Sequence, residues 1–204
     1  MEIQFYGANC VRLSTKKASI IVDDTENKHA KAGDISLFTG VHDKPKADVK
    51  ILFDQPGDFE VSDISIQGIA ARAHMDEEGK RSATMFKIIG DDVKVAVLGH
   101  IYPELSDAQL EALGLVDVLI IPVGGHGYTL DGVGALKVIK KIEPKIIVPT
   151  HYADKAVTYE VPQSALEDVL KEIAMEPKET VPKLKVKSGE LLNEATQLII
   201  LERQ

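Results

Sequence analysis

The sequence predicts an α/β fold in which two β-sheets pack face to face and helices cover the outside. Its first half is a series of short β-rich runs, and its second half alternates apolar strands with helices. No linker, low-complexity tract or charge block divides the 204 residues, of which 44% are hydrophobic. This order of elements is typical of two packed sheets with outer helices, and the composition supplies the core of a single domain over residues 1–204.

Eight strands are predicted in the first half, from runs rich in β-branched and aromatic residues. They are Glu2–Tyr6, Val11–Ser14, Ala18–Val22, Ile35–Phe38, Val49–Phe53, Ile64–Ile69, Ala83–Ile89 and Val93–Leu98. The pairs Gly57-Asp58 and Gly90-Asp91 are predicted to form turns between them.

Three helices are predicted in the second half, each from a residue that caps its amino end. They run from the Ser106/Gln109 capping box to about Ala112, from Asp131 to about Ile142, and from the Ser164/Glu167 capping box to about Ala174. The strands predicted around them are Val116–Pro122, Lys145–Pro149, Leu184–Val186 and Gln197–Leu201. The first two are continuous apolar runs, a pattern typical of strands buried on both faces.

Charge and cysteine content limit the function classes. The chain carries 24 Lys and Arg against 32 Asp and Glu, a net charge of −8, which disfavours nucleic-acid binding because contacts to the phosphate backbone need basic residues. The single cysteine, Cys10, is expected to be a buried free thiol, as in a reducing compartment. No signal peptide or membrane-spanning run is visible, so we expect a cytoplasmic protein without a membrane partner.

Five segments resemble the metallo-β-lactamase superfamily, and in particular its branch of small predicted Zn-dependent hydrolases. Pro122–Asp131 (PVGGHGYTLD), a helix and then Ile146–Tyr152 (IIVPTHY) carry the resemblance, and Phe5–Cys10, Gln55–Val61 and Leu98–Ile101 match in the same order. The resemblance covers essentially the whole chain. It implies a four-layer αββα sandwich of the metallo-β-lactamase type.

The resemblance also implies hydrolysis with one or two metal ions, usually zinc, in a groove at the edges of the two sheets. The ligands in this family follow strands. They come from a main motif, Ser/Thr-His-x-His-x-Asp-His, then a lone His, a bridging Asp in a Gly-Asp turn, and a final His. Imidazole and carboxylate suit Zn²⁺, which activates water at an open coordination position.

The main motif is only partly present in this chain. It should begin at Thr39, and only His42 then falls on a ligand position. Gly40, Lys44 and Pro45 occupy the positions of the first His, the Asp and the last His. Since a lysine would bring positive charge next to a second ion, the resemblance does not extend to a two-metal centre.

The later ligand positions are better kept. The lone His corresponds to His74 and the final His to His151, while His100 replaces the bridging Asp. With His42, these residues are the predicted ligands of one divalent ion, for which zinc is the expected metal. The alternative is four polar residues that form hydrogen bonds at loop ends without a metal.

Four further residues are expected beside the ion or in the groove: Asp23, Asp43, Lys44 and His126. His126 could be a ligand or a general base, but its glycine neighbours equally indicate a tight turn. His29 is interpreted as a solvated loop residue. The stretch 76–81 is interpreted as a hairpin tip, with the alternative that it borders the substrate path because it is close to His74.

Three functions remain open on the sequence. The first is a metal-dependent hydrolase with one ion, a metal-activated water and an unknown small-molecule substrate, because fold alone does not choose a substrate. The second is a non-catalytic binding or scaffold protein on the same fold, favoured by the lost motif positions. The third is a sensor of a small anion that uses Lys44 in place of the metal charge.

Overall fold

The strands form two sheets in the computed structural model, which describes residues 1–191 and 195–204. Within those residues, the first sheet contains β1 (Glu2–Gly7), β2 (Cys10–Ser14), β3 (Ser19–Val22), β4 (Ile35–Leu37), β5 (Ile51–Phe53) and β13 (Leu184–Lys185). The second contains β6 (Gly57–Val61), β7 (Ile64–Ala71), β8 (Ala83–Gly90), β9 (Val93–Val97), β10 (Val118–Pro122), β11 (Ile146–Thr150), β12 (Pro177–Val181) and β14 (Gln197–Leu201). The helices are α1 (Asp107–Leu113), α2 (Gly132–Ile142) and α3 (Leu166–Ile173), with a short 3₁₀ turn at Ser188–Glu190.

Strand order brings several carboxyl ends to one edge of the molecule. The sheets run β13-β1-β2-β3-β4-β5 and β12-β14-β11-β10-β9-β8-β7-β6. Strands β3 and β4 are parallel, as are β9, β10 and β11. Two successive antiparallel pairings make β1 parallel to β3 and β7 parallel to β9. Loops that leave these strands therefore meet at a common edge, where α/β folds bind ligands.

Alternate residues of the central strands face two different cores. In β10, Val118 and Ile120 pack between the sheets, whereas Leu119 and Ile121 pack against the helices. Both faces of this strand are buried, which explains its unbroken apolar run. Each fully buried aliphatic side chain contributes roughly 1.5–3 kcal/mol of transfer free energy.

The three helices pack on the outer face of the second sheet, where Leu113, Val138 and Val169 join its core. The outer face of the first sheet is covered by the loop of residues 23–34. There the buried Arg12 forms an ion pair with Asp34 at 2.9 Å. The two sheets packed face to face confirm the arrangement that the order of elements predicted, with the described helices on one outer face and a loop on the other.

Two of the three predicted helix caps are confirmed. Ser106 and Gln109 form the capping box of α1, and the Asp131 carboxylate accepts a hydrogen bond from Gly134 N at 2.7 Å. The Ser164/Glu167 box is wrong, because α3 begins after Ala165 without a side-chain cap. Ser164 is instead part of a loop contact, in which its N–H donates to Gly124 O at 2.9 Å.

The strand predictions hold except at two places, and the predicted Gly90-Asp91 turn is shifted by one residue to Asp91-Asp92, because Gly90 ends β8. Gly57-Asp58, predicted to be a turn, lies in β6, and the hairpin turn is Ser62-Asp63, where φ is 55° and 58°. Positive φ at both central residues is the geometry of a tight hairpin. The other difference is β12, whose polar sequence PKETV gave no strand signal because it lies exposed at the edge of its sheet.

Cys10 is a buried free thiol, as predicted. Burial and the neighbouring Asp24 raise the pKa of this thiol well above its usual value, so the reactive thiolate is disfavoured. Among the described residues, no helix is long and apolar enough to cross a membrane.

Candidate active site

Three of the four predicted ligands line one cavity of about 460 Å³ at the common strand edge. His74 lies on the loop after β7, His100 on the loop after β9, and His151 directly after β11. The volume is typical of a small-molecule site. The structure therefore brings together three histidines that are up to 77 residues apart in sequence.

His100 contacts both of the other histidines, His151 through its ring and His74 through its backbone. The rings of His100 and His151 lie 4.4 Å apart between centroids, at 89° to one another. The backbone N–H of His74 donates to the carbonyl of His100 at 2.8 Å, which ties the two loops together. Two tyrosines complete the wall: the Tyr128 ring is 4.7 Å from His100 and the Tyr159 ring is 5.2 Å from His151.

The tautomer of His151 follows from its partner. Gln163 donates its Nε2 to Val161 O at 2.8 Å, so its Oε1 is the atom that lies 3.1 Å from His151 Nδ1. An amide oxygen only accepts, and His151 Nδ1 must therefore carry the proton. In the neutral ring, Nε2 then keeps its lone pair. The position is also strained, since His151 has a φ of 55°, a value that costs a non-glycine residue free energy and is common at functional sites.

Burial keeps two of the imidazoles neutral. It lowers the pKa of His100 to about 3, with further contributions from His151 and His74. Burial also lowers the pKa of His151, against the opposing effect of its hydrogen bond to Gln163. Both rings are therefore uncharged at neutral pH, which is the form that binds a metal ion.

His74 has an unsatisfied polar atom. Its Nδ1 is buried and makes no hydrogen bond within the described part of the chain. A buried polar atom without a partner costs about 1–3 kcal/mol, so such atoms often mark a site for a water, an ion or a ligand.

His42 does not join the other three. Its ring stacks on Phe38 at 3.8 Å between centroids. Nδ1 lies 2.8 Å from Asp43 O, and Nε2 lies 3.2 Å from Asp54 Oδ2. Both nitrogens therefore face an acceptor, to only one of which a neutral ring can donate, and the ring does not line the cavity. The predicted four-histidine cluster is a cluster of three in this structure.

Of the four residues expected beside the ion or in the groove, only Asp23 is found in the cavity wall. Asp43 and Lys44 are exposed on the loop that carries His42. His126 is exposed in its glycine-rich loop with a φ of 55°, which fits the turn interpretation. Lys44 therefore brings no positive charge into the cavity wall.

Asp23 organises a buried polar network under the cavity. Its Oδ1 accepts from Thr39 N at 2.7 Å, and its Oδ2 accepts from Thr39 Oγ1 and Asn9 Nδ2, both at 2.6 Å. Thr150 Oγ1 donates to Asn9 Oδ1 at 2.6 Å. Burial raises the pKa of Asp23, and the hydrogen bonds from Thr39 and Asn9 oppose this effect. The network links the ends of β3, β4 and β11 and so joins the two sheets immediately before His151.

One glycine allows this network to form. Gly99 has a φ of +65°, and a Cβ at this position would overlap the side chain of Thr39. The Gly99-His100 pair therefore makes a turn that brings the His100 loop against Thr39. No sequence signal identified Asn9 or Thr39 as partners of Asp23, because their contacts depend on the pairing of distant strands.

Asp76 holds the loop that carries His74. Its Oδ2 accepts from the backbone N–H groups of Ala73 at 3.0 Å and Ser82 at 2.8 Å, and Lys80 lies 3.3 Å from its Oδ1. Desolvation raises the pKa of Asp76, but hydrogen bonds from Ser82 and Ala73 and the Lys80 ion pair outweigh it and hold the pKa well below its usual value. The stretch 76–81, interpreted from the sequence as a hairpin tip close to His74, thus contains a residue that positions a candidate ligand.

The donor types in the cavity fit a divalent ion. Three imidazoles are present, and burial keeps those of His100 and His151 neutral. Gln163 fixes the tautomer of His151 so that its Nε2 keeps a lone pair, and His74 has a buried Nδ1 without a hydrogen-bond partner among the described residues. The carboxylates of Asp23 and Asp76 are already engaged by several donors each, which leaves the histidines as the candidate ligands. By position, however, no group of three or more His, Cys, Asp or Glu side chains among the described residues is arranged so that it could hold a metal ion.

Comparisons with known proteins agree with this geometry. A family model described as a β-lactamase superfamily domain matches residues 2–151. A UPF0173 protein of Pyrococcus abyssi is 26% identical over 179 residues, covering 74% of this chain and 83% of that protein. A UPF0173 metal-dependent hydrolase of Thermococcus onnurineus is 32% identical over 101 residues, covering 47% of this chain and 44% of that protein.

Solved structures show the same fold. A predicted Zn-dependent hydrolase of the metallo-β-lactamase superfamily from Thermotoga maritima superposes with a TM-score of 0.78 at 23% identity, over 99% of both chains. A metallo hydrolase of Ignicoccus hospitalis gives a TM-score of 0.63 at 16% identity, over 99% of this chain and 94% of that one. The sandwich predicted from the sequence motifs is confirmed, and the chain belongs to the β-lactamase superfamily, with the metallo-β-lactamase fold.

Proposed function

We propose that the protein is a metal-dependent hydrolase that uses one divalent ion, with zinc as the metal and His74, His100 and His151 as its ligands. The observation that supports this most directly is the set of three imidazoles in one cavity, with His74 Nδ1 buried and unpartnered among the described residues. Related proteins named metal-dependent hydrolases support the same reaction class.

One ion fits better than two. The positions that would complete a second centre hold Gly40, Lys44 and Pro45, and the ring of His42 is held by Asp54. When bound, a single ion would supply Lewis-acid activation of water and of the scissile group.

The residues of the chain bind and orient the reactants. Gln163 fixes the His151 ring, and Asp76 fixes the loop of His74. The hydroxyl of Tyr128 makes no hydrogen bond to the described residues, and burial together with Glu160 raises its pKa, so it stays protonated. A protonated phenol beside the cavity is suited to donate a hydrogen bond to an oxygen on which negative charge develops.

Metal content and hydrolysis test the proposal together. Protein purified without an affinity tag of histidines should contain close to one divalent ion per chain by elemental analysis, and should hydrolyse a chromogenic ester only with the ion present. His74→Ala and His151→Ala should lose both properties, while His126→Asn, in an exposed loop, should keep them. Two tightly bound ions per chain would contradict the single-ion site.

A non-catalytic binding protein is the second candidate, favoured by the fact that the described ligands are not closed around a metal position. Only trace metal after zinc soaking, together with no hydrolysis, would support it over the enzyme. For either function we propose a cytoplasmic location, which the buried free thiol of Cys10 supports.

A further inference from the structure

We infer that Arg203 is a positioning residue of the candidate site, because it holds the 153–164 segment, which forms one wall of the cavity and orients His151. The 153–164 segment lies in the loop between β11 and α3. The inference rests on the proposed function only for its consequence, which is how tightly His151 binds an ion. The position of the segment itself depends on contacts within the chain.

The 153–164 segment is an Ω-loop whose two ends meet. Ala153 N donates to Ser164 O at 2.9 Å, and Ser164 N donates to Gly124 O at 2.9 Å. The residues between these ends that line the cavity are Thr158, Tyr159 and Glu160. Compact surface loops of about 6–16 residues with close ends are frequently functional.

The segment also orients a candidate ligand. Gln163 Oε1 lies 3.1 Å from His151 Nδ1, and Gly124 makes room for this contact, because a Cβ at Gly124 would overlap Gln163 Oε1. A displacement of the segment would therefore move Gln163 and release the His151 ring. Loss of a partner that orients a metal-binding histidine typically weakens metal binding by about 10–100-fold.

Few contacts keep the segment in place. Its residues are all exposed or half-buried, which is typical of segments that open locally. Val157 packs on the end of β1, because its Cγ2 would lie 2.7 Å from a Cβ at Gly7. The Tyr159 hydroxyl donates to Tyr152 O at 2.7 Å. With so little apolar packing, individual polar contacts determine how often the segment opens.

Asp154 is the point at which Arg203 holds the segment. Arg203 Nε lies 2.8 Å from Asp154 Oδ2. Asp154 also shapes the loop, because its Oδ1 accepts from Ala156 N at 2.9 Å and its carbonyl accepts from Val157 N at 3.1 Å. Arg203 itself is fixed, since it follows β14 and its backbone pairs with Phe5 of β1. The ion pair thus fastens the segment to these two strands.

Hydrogen exchange of backbone amides in the whole chain tests the anchor. The pair is partly exposed, with side-chain exposures of 39% for Arg203 and 20% for Asp154, so the effect should be modest. In Arg203→Gln the amides of Ala156 and Val157 should exchange about twofold to fivefold faster. Asp154→Asn should have about the same effect, and the double variant should be no faster than either single one. Unchanged exchange in both single variants would overturn the inference.

Control variants show whether the ion pair is the cause. Arg203→Lys keeps the positive charge and should exchange at nearly the rate of the natural protein. Lys187→Gln removes an exposed ion pair with Glu190, outside the 153–164 segment, and should leave the exchange of the segment unchanged. Amides of β10 should keep their rates in every variant, which excludes global destabilisation. Exchange in Arg203→Lys as fast as in Arg203→Gln would contradict an ion-pair anchor.

The ring of His151 shows whether the segment positions a candidate ligand. In the natural protein in chelator, its ring-nitrogen NMR shifts should be those of the Nδ1–H tautomer, because Gln163 Oε1 only accepts. Gln163→Ala should move these shifts, and Arg203→Gln should move them part of the way in the same direction. Unchanged shifts in Arg203→Gln, despite faster exchange, would contradict the positioning of His151.

Zinc affinity connects the inference to the proposed function. Gln163→Ala should weaken zinc binding by about tenfold or more, and Arg203→Gln by about twofold to fivefold. Arg203→Gln should weaken it no further when Gln163 is already replaced, and a further loss would contradict the route through Gln163. A natural protein that binds no zinc would count against the proposed function alone, because the exchange and ring measurements need no metal.

Discussion

The loop after β4 and the loop after β11 each carry a histidine at a predicted ligand position, but their surroundings differ. In the first, both ring nitrogens of His42 lie within hydrogen-bond distance of an acceptor, Asp43 O and Asp54 Oδ2, and its face is covered by Phe38. In the second, His151 has one nitrogen fixed by Gln163 and the other free of hydrogen bonds to the described residues. A histidine becomes a candidate ligand when its neighbours orient it and leave one lone pair available.

Zinc binding should show the largest difference between these two loops. Metal that binds only the folded state adds about 2.7 kcal/mol at a hundredfold excess over Kd, which is roughly 5–10 °C in Tm for a chain of this size. Zinc should raise the Tm of the natural protein and of His42→Ala, but not that of the double variant His74→Ala, His151→Ala. Equal shifts in all three proteins would place the bound zinc elsewhere.

The polar network under the cavity should have the next largest effect. In Asp23→Asn the amide NH₂ would face a donor in either orientation: Thr39 N at the position of Oδ1, or Asn9 Nδ2 and Thr39 Oγ1 at the position of Oδ2. We expect the free energy of unfolding in denaturant to fall by about 1–3 kcal/mol. Asp43→Asn, at an exposed position on the His42 loop, should stay within about 0.5 kcal/mol of the natural protein. An equally large decrease in the free energy of unfolding for Asp43→Asn would mean that the exposed Asp43 contributes as much to stability as the buried Asp23.

The pH dependence of stability should distinguish the buried histidines from an exposed one. The folded-state pKa of His100 is about 3, below its usual value of 6.5, so the unfolded chain binds the proton first as the pH falls. In chelator, this contribution to stability is complete above pH 6.5 and is lost progressively as the pH falls from there towards 3.

When the pH falls from neutral to about 5, the free energy of unfolding of the natural protein should therefore decrease by about 1–2 kcal/mol more than that of His100→Gln. His126→Asn should follow the natural protein, because His126 is exposed. Chemical denaturation at several pH values measures this, and identical slopes in all three proteins would show that His100 is not buried in its neutral form.

Restoring the family carboxylate should have the smallest effect. His100→Asp replaces the imidazole with the residue type of the bridging position, yet Gly40 and Pro45 still offer no ligand and His42 is still held by Asp54. The variant should bind one ion no tighter than the natural protein by calorimetry, and gain no hydrolytic rate on phosphodiester or β-lactam substrates.

His100→Ala is the paired measurement for that variant. It should weaken zinc binding if the His100 ring contacts the ion, because water would replace one imidazole. Unchanged affinity would remove His100 from the proposed ligand set and leave it as a packing partner of His151 and Tyr128.

The sequence by itself determined the two-sheet sandwich, most strand bounds and the positions of three of the candidate ligands. Apolar alternation and capping residues are local signals, and they identified β10, β11 and the starts of α1 and α2. The resemblance of the ordered motifs to the superfamily identified His74, His100 and His151, and in the structure each follows a strand whose carboxyl end reaches the same edge. In these places local preference and tertiary packing favour the same structure.

Only the tertiary structure decided how those residues are used. The Asp54 partner of His42 and the Asn9 and Thr39 partners of Asp23 come from other loops, so no local pattern could predict that this histidine is engaged and this carboxylate is saturated. Ser164 has the residue type of a cap but contacts Gly124 across a loop, and β12 pairs with β14 despite its polar sequence. Hydrogen bonds and burial between residues distant in sequence depend on the packing of the whole chain, and this packing sets both the chemistry and the charge of the cavity.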